Sequence, residues 1–94
     1  MPEEKIFETK VKRLLKLRGC WLLKTFSNGI QRAGVPDLLV CYKGYFIGIE
    51  LKAEKGRPSK LQEYEIAGIR DAGGWALVLK PSGLTAFLEE LDKL

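Results

Sequence analysis

Residues 35–52, VPDLLVCYKGYFIGIELK, constrain this chain more than any other stretch. They read as two apolar strands joined at Lys43-Gly44, a turn signal. A loop of two or four residues pairs Tyr42 with Tyr45, and the same register carried outward sets Asp37 opposite Glu50. Directly opposed residues of an antiparallel pair share a face, as do alternate residues of one strand. Asp37, Glu50 and Lys52 therefore converge on one surface. The opposite surface carries Leu38, Val40, Tyr42, Tyr45, Ile47, Ile49 and Leu51 and is the expected core. A three-residue loop would shift the pairing by one and scatter the charges, so register and site form a single expectation.

Two carboxylates facing each other across a strand pair repel by roughly 1 kcal/mol in water and about 4 kcal/mol at an effective dielectric of 20. One lysine offsets only part of that. A hard divalent cation removes the conflict, because Mg2+ takes one or two carboxylates and fills its other positions with water and substrate phosphate. Such an ion would acidify a water beside Lys52, which could orient it or assist its deprotonation. Gly48, on the same face, is expected to leave room for a substrate backbone. The alternative is an ordinary ion pair of Lys52 with Glu50 or Asp37 on a solvated sheet face.

The rest of the chain supplies layers around this hairpin. Over residues 3–18, Phe7, Val11, Leu14 and Leu15 recur at helical spacing, with Ile6 and Leu17 widening the stripe and Gly19 placed as a C-terminal cap. Lys5, Lys12 and Lys16 fall on the far side, as a solvated face. Glu8 lies at the stripe's edge, where it either reaches a neighbouring strand or makes a surface pair with Lys12. Residues 20–26 read as a short strand, followed by a polar, glycine-bearing loop that leads to Pro36 and Asp37. Ser59 and Gln62 match a capping box that opens a second helix, with Leu61, Tyr64, Ile69 and Ala72 as its apolar face and Gly73-Gly74 as its end. Residues 75–80 form a further buried strand. A strand, helix, strand sequence of this length implies a right-handed crossover to a parallel neighbour. Pro81-Ser82-Gly83 then starts a short last helix. The expected class is α/β, with a mixed four-stranded sheet flanked by helices. Trp21, Trp75 and Phe87 are expected in the core.

Composition narrows the function classes. The chain has 94 residues, 46% hydrophobic and 30% charged, which suits one soluble globular domain spanning residues 1–94. No apolar run is long enough to span a bilayer and no apolar signal segment follows Met1, so an intracellular, cytoplasmic protein with no membrane partner is expected. There is no histidine, which excludes imidazole as ligand or base, and Cys20 and Cys41 lack metal-ligand spacing. Lys and Arg number 16 against 12 Asp and Glu, a balance that suits a polyanionic partner. Lys24, Arg32, Lys55, Arg57 and Lys60 are the candidate phosphate contacts, with the helix N-terminus at Ser59 as a further anion site.

Pro36-Asp37, then Glu50-Leu51-Lys52, preceded by a helix bearing Glu8, resembles the PD-(D/E)xK nuclease superfamily, and the order of elements resembles its restriction-endonuclease-like αβββαβ core. The fuller string is Gly34-Val35-Pro36-Asp37-Leu38-Leu39, Gly44, Ile49-Glu50-Leu51-Lys52-Ala53, Leu61-Gln62 and Ala72-Gly73-Gly74. It resembles a stand-alone virus-type replication-repair nuclease (VRR-NUC) domain, including those encoded by phages that act in the host cell. The resemblance implies that Asp37, Glu50 and the Leu51 carbonyl bind Mg2+ or Mn2+, that Lys52 positions water, and that Glu8 supports the metal shell or a second ion. It also implies that Gln62 lines the site, a role competing with the capping box, since one side chain could not easily do both. The activity it implies is cleavage of branched DNA such as four-way junctions by a homodimer, leaving a 5′-phosphate and a 3′-hydroxyl. The alternatives are a nuclease of flaps or of no particular DNA structure, and a non-catalytic nucleic-acid-binding module.

Overall fold

The computed structural model describes residues 3–26 and 32–94; residues 27–31, in the predicted polar loop, lie outside the described part. The first helix, α1, covers Glu3–Leu17, with Glu3 and Glu4 in its first turn and Lys16 in its last, the polarity that suits a helix dipole. It ends at Gly19, whose φ of 81° is open to glycine at little cost. Phe7, Val11 and Leu15 are buried. Ile6 and Leu17, expected to widen this stripe, are 57% and 72% exposed instead. The flank is taken by Glu8, which is itself buried.

The central hairpin joins β2 (Leu38–Tyr42) to β3 (Tyr45–Leu51) through a two-residue turn. Lys43 and Gly44 both have positive φ, 52° and 84°, which is the type I′ geometry whose twist matches flanking strands. The register runs from Tyr42 opposite Tyr45 to Leu38 opposite Ile49, so the next position outward brings Asp37 towards Glu50 as expected. Strand β1 (Trp21–Lys24) adds antiparallel to β2, with Lys24 opposite Leu38. Strand β4 (Trp75–Leu79) adds parallel to β3, with Glu50 beside Val78. The crossover between β3 and β4 is α2 (Lys60–Asp71), and a 3-10 turn at Pro81–Gly83 leads to α3 (Leu84–Asp92). The result is the expected α/β architecture, a mixed sheet in the order β1-β2-β3-β4 flanked by helices.

One sheet face packs Leu38, Val40, Ile47, Ile49 and Leu51 against Phe7, Val11 and Leu15 of α1 and Leu84, Phe87 and Leu91 of α3. Trp75 and Phe87 pack here with tilted rings, their centroids 5.2 Å apart. On the other face α2 lies close over β3 and β4. A Cβ on Gly48 would stand 2.8 Å from Ile69 Cδ1 and 3.1 Å from Pro36 Cγ. The missing side chain admits the helix, not a substrate. The buried side of α2 also differs from the expected one: Ile66 is buried while Leu61 and Tyr64 are 55% and 72% exposed. The helix is turned so that Gln62, one turn before Ile66, faces the sheet. Trp21 and Leu23 remain exposed, because no described helix covers their side of β1.

Candidate active site

Pairing at the open end of the hairpin is continued by Thr25. Its main-chain N–H donates to the Asp37 carbonyl at 2.8 Å, and its buried hydroxyl donates to the Pro36 carbonyl at 2.8 Å. These bonds pin the backbone from which the Asp37 side chain projects. The Asp37 carboxylate in turn accepts the Leu51 N–H at 2.9 Å, while the next amide, Lys52 N–H, donates to the Leu79 carbonyl. Asp37 therefore bridges the end of β2 to β3 through its side chain.

Glu50 is 2% exposed and lies on the α2 side of the sheet. Lys52 Nζ stands 3.6 Å from Glu50 Oε2, so the predicted convergence of Glu50 and Lys52 is present. The simple surface ion pair does not describe it, because the carboxylate is buried. Gln62 Nε2 donates to the same Oε2 at 2.8 Å. At the other end of that amide, Gln62 Oε1 accepts the Ser59 N–H at 2.8 Å, and Ser59 Oγ accepts the Gln62 N–H at 3.1 Å. The capping box and the contact to Glu50 are thus satisfied together, against the expectation that they exclude each other, because the two use opposite ends of one planar amide.

Glu50 Oε1 remains buried with no hydrogen-bond donor. Burial pushes the Glu50 carboxyl up to about 7, the neighbouring Asp37 carboxylate adds to the rise, and Lys52 opposes it. Lys52 alone does not offset the burial and the Asp37 charge. Among the described residues no group of three His, Cys, Asp or Glu side chains forms a metal cage; Asp37 and Glu50 stand as a pair. A pair with an orphaned buried oxygen fits a divalent cation that fills its remaining positions with water and phosphate.

Glu8 reaches the site from α1, on the other side of the sheet. Its Oε1 lies 3.1 Å from Lys24 Nζ and its Oε2 lies 3.2 Å from Lys12 Nζ, so both expected contacts, to a strand and to Lys12, are made. Burial alone would raise its carboxyl, but the Lys24 and Lys12 ammonium groups outweigh this and hold it below the usual carboxylate range. Lys24 also stands 3.8 Å from Asp37 Oδ1. Sequence reasoning set Lys24 among the phosphate contacts and Lys12 in solvent; both lie in the carboxylate cluster. Of the other basic candidates, Arg32 pairs with Glu65 at 3.0 Å, and Lys55, Arg57 and Lys60 are exposed around the entrance to α2. A groove of about 630 Å³, lined by Phe46, Tyr64, Glu65 and Ile69, lies at the opposite end of β3 from Glu50.

The profile of the archaeal Holliday junction resolvase (Hjc) family matches residues 4–89, almost the whole chain and every residue of this cluster. The chain belongs to that family. It is accordingly a nuclease by family. A solved structure described as a VRR_NUC domain superposes with a TM-score of 0.79 at 26% identity, covering 96% of this chain and 97% of that one. This bears out the resemblance to stand-alone VRR-NUC domains and the restriction-endonuclease-like fold. The Hjc resolvase of Archaeoglobus fulgidus superposes with a TM-score of 0.63 at 20% identity, covering 81% of this chain and 66% of that one, a likeness of fold. None of the curated proteins matches the chain. The cluster also includes one residue that the sequence did not reveal, Thr25. Its signal was available only through β1 register, which a long connecting loop does not fix.

Proposed function

We propose that this protein is a divalent-metal-dependent endonuclease that cuts DNA phosphodiesters, acting on branched substrates such as four-way junctions as a homodimer. The observation that carries the reading is Glu50 Oε1, buried without a donor on a carboxylate that faces Asp37. Asp37, Glu50 and the Leu51 carbonyl would hold Mg2+ or Mn2+. When bound, the ion would lower the pKa of a water, neutralise the carboxylates and stabilise negative charge on the attacked phosphate.

The chain's own residues do the positioning. Lys52, beside Glu50, orients the attacking water, and its ammonium charge favours loss of the water's proton to solvent. Water oxygen bonds to phosphorus in line with the leaving 3′ oxygen, the P–O3′ bond breaks, and the 3′ oxygen takes a proton from solvent, leaving a 5′-phosphate and a 3′-hydroxyl. Gln62 fixes the Glu50 carboxylate, and Glu8 would support the metal shell. Lys55, Arg57 and Lys60, exposed near α2, together with Arg32, contact flanking phosphates, and their charge favours a DNA track. Family membership supports a branched substrate, and two sites related by a two-fold axis suit symmetric cutting of a junction.

The test is Mg2+- or Mn2+-dependent cleavage of labelled junction, flap, nicked, single-stranded and duplex DNA by wild type, Lys52→Ala and Asp37→Asn. Junction cutting that both variants lose supports the reading; undiminished cutting by both overturns it. Light scattering at working concentrations tests the dimer, which monomeric behaviour would exclude. A thermal shift with Mn2+ that Glu50→Gln abolishes separates the nuclease from a non-catalytic DNA-binding module.

A further inference from the structure

The charged cluster has two unequal halves, delivered from opposite faces of the sheet and meeting at Asp37. On the α1 side, both oxygens of Glu8 are already engaged by ammonium groups, Oε1 by Lys24 at 3.1 Å and Oε2 by Lys12 at 3.2 Å, with Lys5 at 3.9 Å. On the α2 side, Glu50 Oε1 is buried with no donor; Glu8 Oε2 is likewise buried without a hydrogen bond, but it has the Lys12 charge 3.2 Å away. Lys24 Nζ, 3.1 Å from Glu8 and 3.8 Å from Asp37, lies between these two carboxylates. An ion shared by Glu8 and Asp37 would need that same place, since paired catalytic ions sit roughly 3.5–4 Å apart and bridge neighbouring carboxylates.

We infer that Lys24 stands where a second cation would otherwise bind, so that the site accepts one divalent ion, at Asp37 and Glu50. The inference rests on the metal-dependent reading above and specifies its stoichiometry. Charge supports it. Glu8, Asp37 and Glu50 are balanced by Lys12, Lys24 and Lys52, so one dication leaves the cluster positive enough for a phosphodiester. A second ion beside Lys24 and Lys12 would meet two like charges at close range, unfavourable even in a solvated site. Lysine suits the place because its ammonium is a compact point charge on a flexible stem. About a quarter of the Lys24 side chain is exposed, so it is held there by its carboxylate partners and not by enclosure.

The inference is tested by calorimetric titration of the full chain with Mn2+, alongside electron paramagnetic resonance of the loaded protein. Wild type is expected to bind one ion per chain with an isolated Mn2+ spectrum. Lys24→Met, which keeps the apolar stem and removes the charge, is expected to bind two and to show a spin-coupled pair. Lys24→Arg restores one ion, and adding Glu8→Gln to Lys24→Met removes the second. Circular dichroism checks folding, with Lys24→Gln used in place of a Lys24→Met that fails to fold. Two ions per wild-type chain, or one per neutral Lys24 variant, overturns the inference and leaves the nuclease reading standing. No ion on wild type overturns both.

Discussion

Gln62 and Glu50 are joined by a 2.8 Å hydrogen bond in which the amide donates to a buried carboxylate. The same amide closes the capping box of α2 through its oxygen. The start of a helix and the orientation of a metal-binding candidate thus depend on one side chain.

Separating these two tasks gives the first prediction. Ser59→Ala removes the hydroxyl that caps the helix but leaves the amide of Gln62 facing Glu50, and should cost about 1 kcal/mol of stability with cleavage reduced little. Gln62→Leu removes the cap partner and the donor together. It should cost at least as much stability and also lower metal affinity or cleavage by roughly 10- to 100-fold, the usual effect of losing an outer partner of a metal ligand. Melting curves and junction cleavage, measured on both variants, check the split; equal cleavage by the two would show that the bond to Glu50 has no functional weight.

The raised Glu50 carboxyl predicts a pH dependence in metal-free protein. Its folded pKa, about 7, exceeds its unfolded value of 4.5. The native state therefore binds more protons than the unfolded state between these values, and stability falls as pH rises from about 4.5 to 7. Relative to Glu50→Gln, wild type should lose on the order of 2 kcal/mol across that window in EDTA. Saturating Mg2+ should remove the difference by favouring the deprotonated form. Denaturant melts at a series of pH values measure it, and a flat difference would contradict the assignment.

Neighbouring charges should move this titration in opposite senses. Asp37 raises the Glu50 carboxyl and Lys52 lowers it. Asp37→Asn should therefore bring the Glu50 midpoint down, and Lys52→Met should push it up. Carboxyl-carbon NMR titrations of labelled, metal-free protein report both directly. An unchanged midpoint in both variants would mean that burial alone controls Glu50.

Two glycines of similar backbone conformation distinguish strain from contact. Gly19 has a φ of 81° and open space where a Cβ would stand. Gly34 has a φ of 90°, and a Cβ there would lie 2.5 Å from the Leu61 carbonyl oxygen. Gly19→Ala should cost about 1–2 kcal/mol, the left-handed penalty alone. Gly34→Ala should cost clearly more, because the loop before Asp37 must also move off the first turn of α2. Thermal unfolding ranks the two, and Mn2+ affinity should fall only for Gly34→Ala.

Much of this site was legible because a two-residue turn fixes the parity of a hairpin: once Tyr42 pairs with Tyr45, the convergence of Asp37 and Glu50 follows. The Ser59 cap and the parallel crossover were readable for similarly local reasons. The buried side of α2 was not. A helix that faces an ionised site puts Gln62 inward and leaves Leu61 and Tyr64 outside, which defeats a wheel drawn from hydrophobicity. Trp21 misled in the same way, since nothing in its own sequence neighbourhood says whether a helix will cover it. The place of Lys24 depended on how β1 aligns with β2, which residues distant in sequence determine.

The bond from the Leu51 amide to the Asp37 side chain gives the protein an internal indicator. That amide proton belongs to a strand, yet its partner is a carboxylate oxygen and not a carbonyl of the ladder. Whatever draws electron density from Asp37 will be felt one bond away at Leu51, and the Lys52 amide, which donates to the Leu79 carbonyl and shares its peptide group with the Leu51 carbonyl, will respond to an ion held by that carbonyl. Two consecutive peaks in an amide spectrum, one reporting on the carboxylate and the other on the carbonyl, could therefore follow occupancy of the site without a substrate.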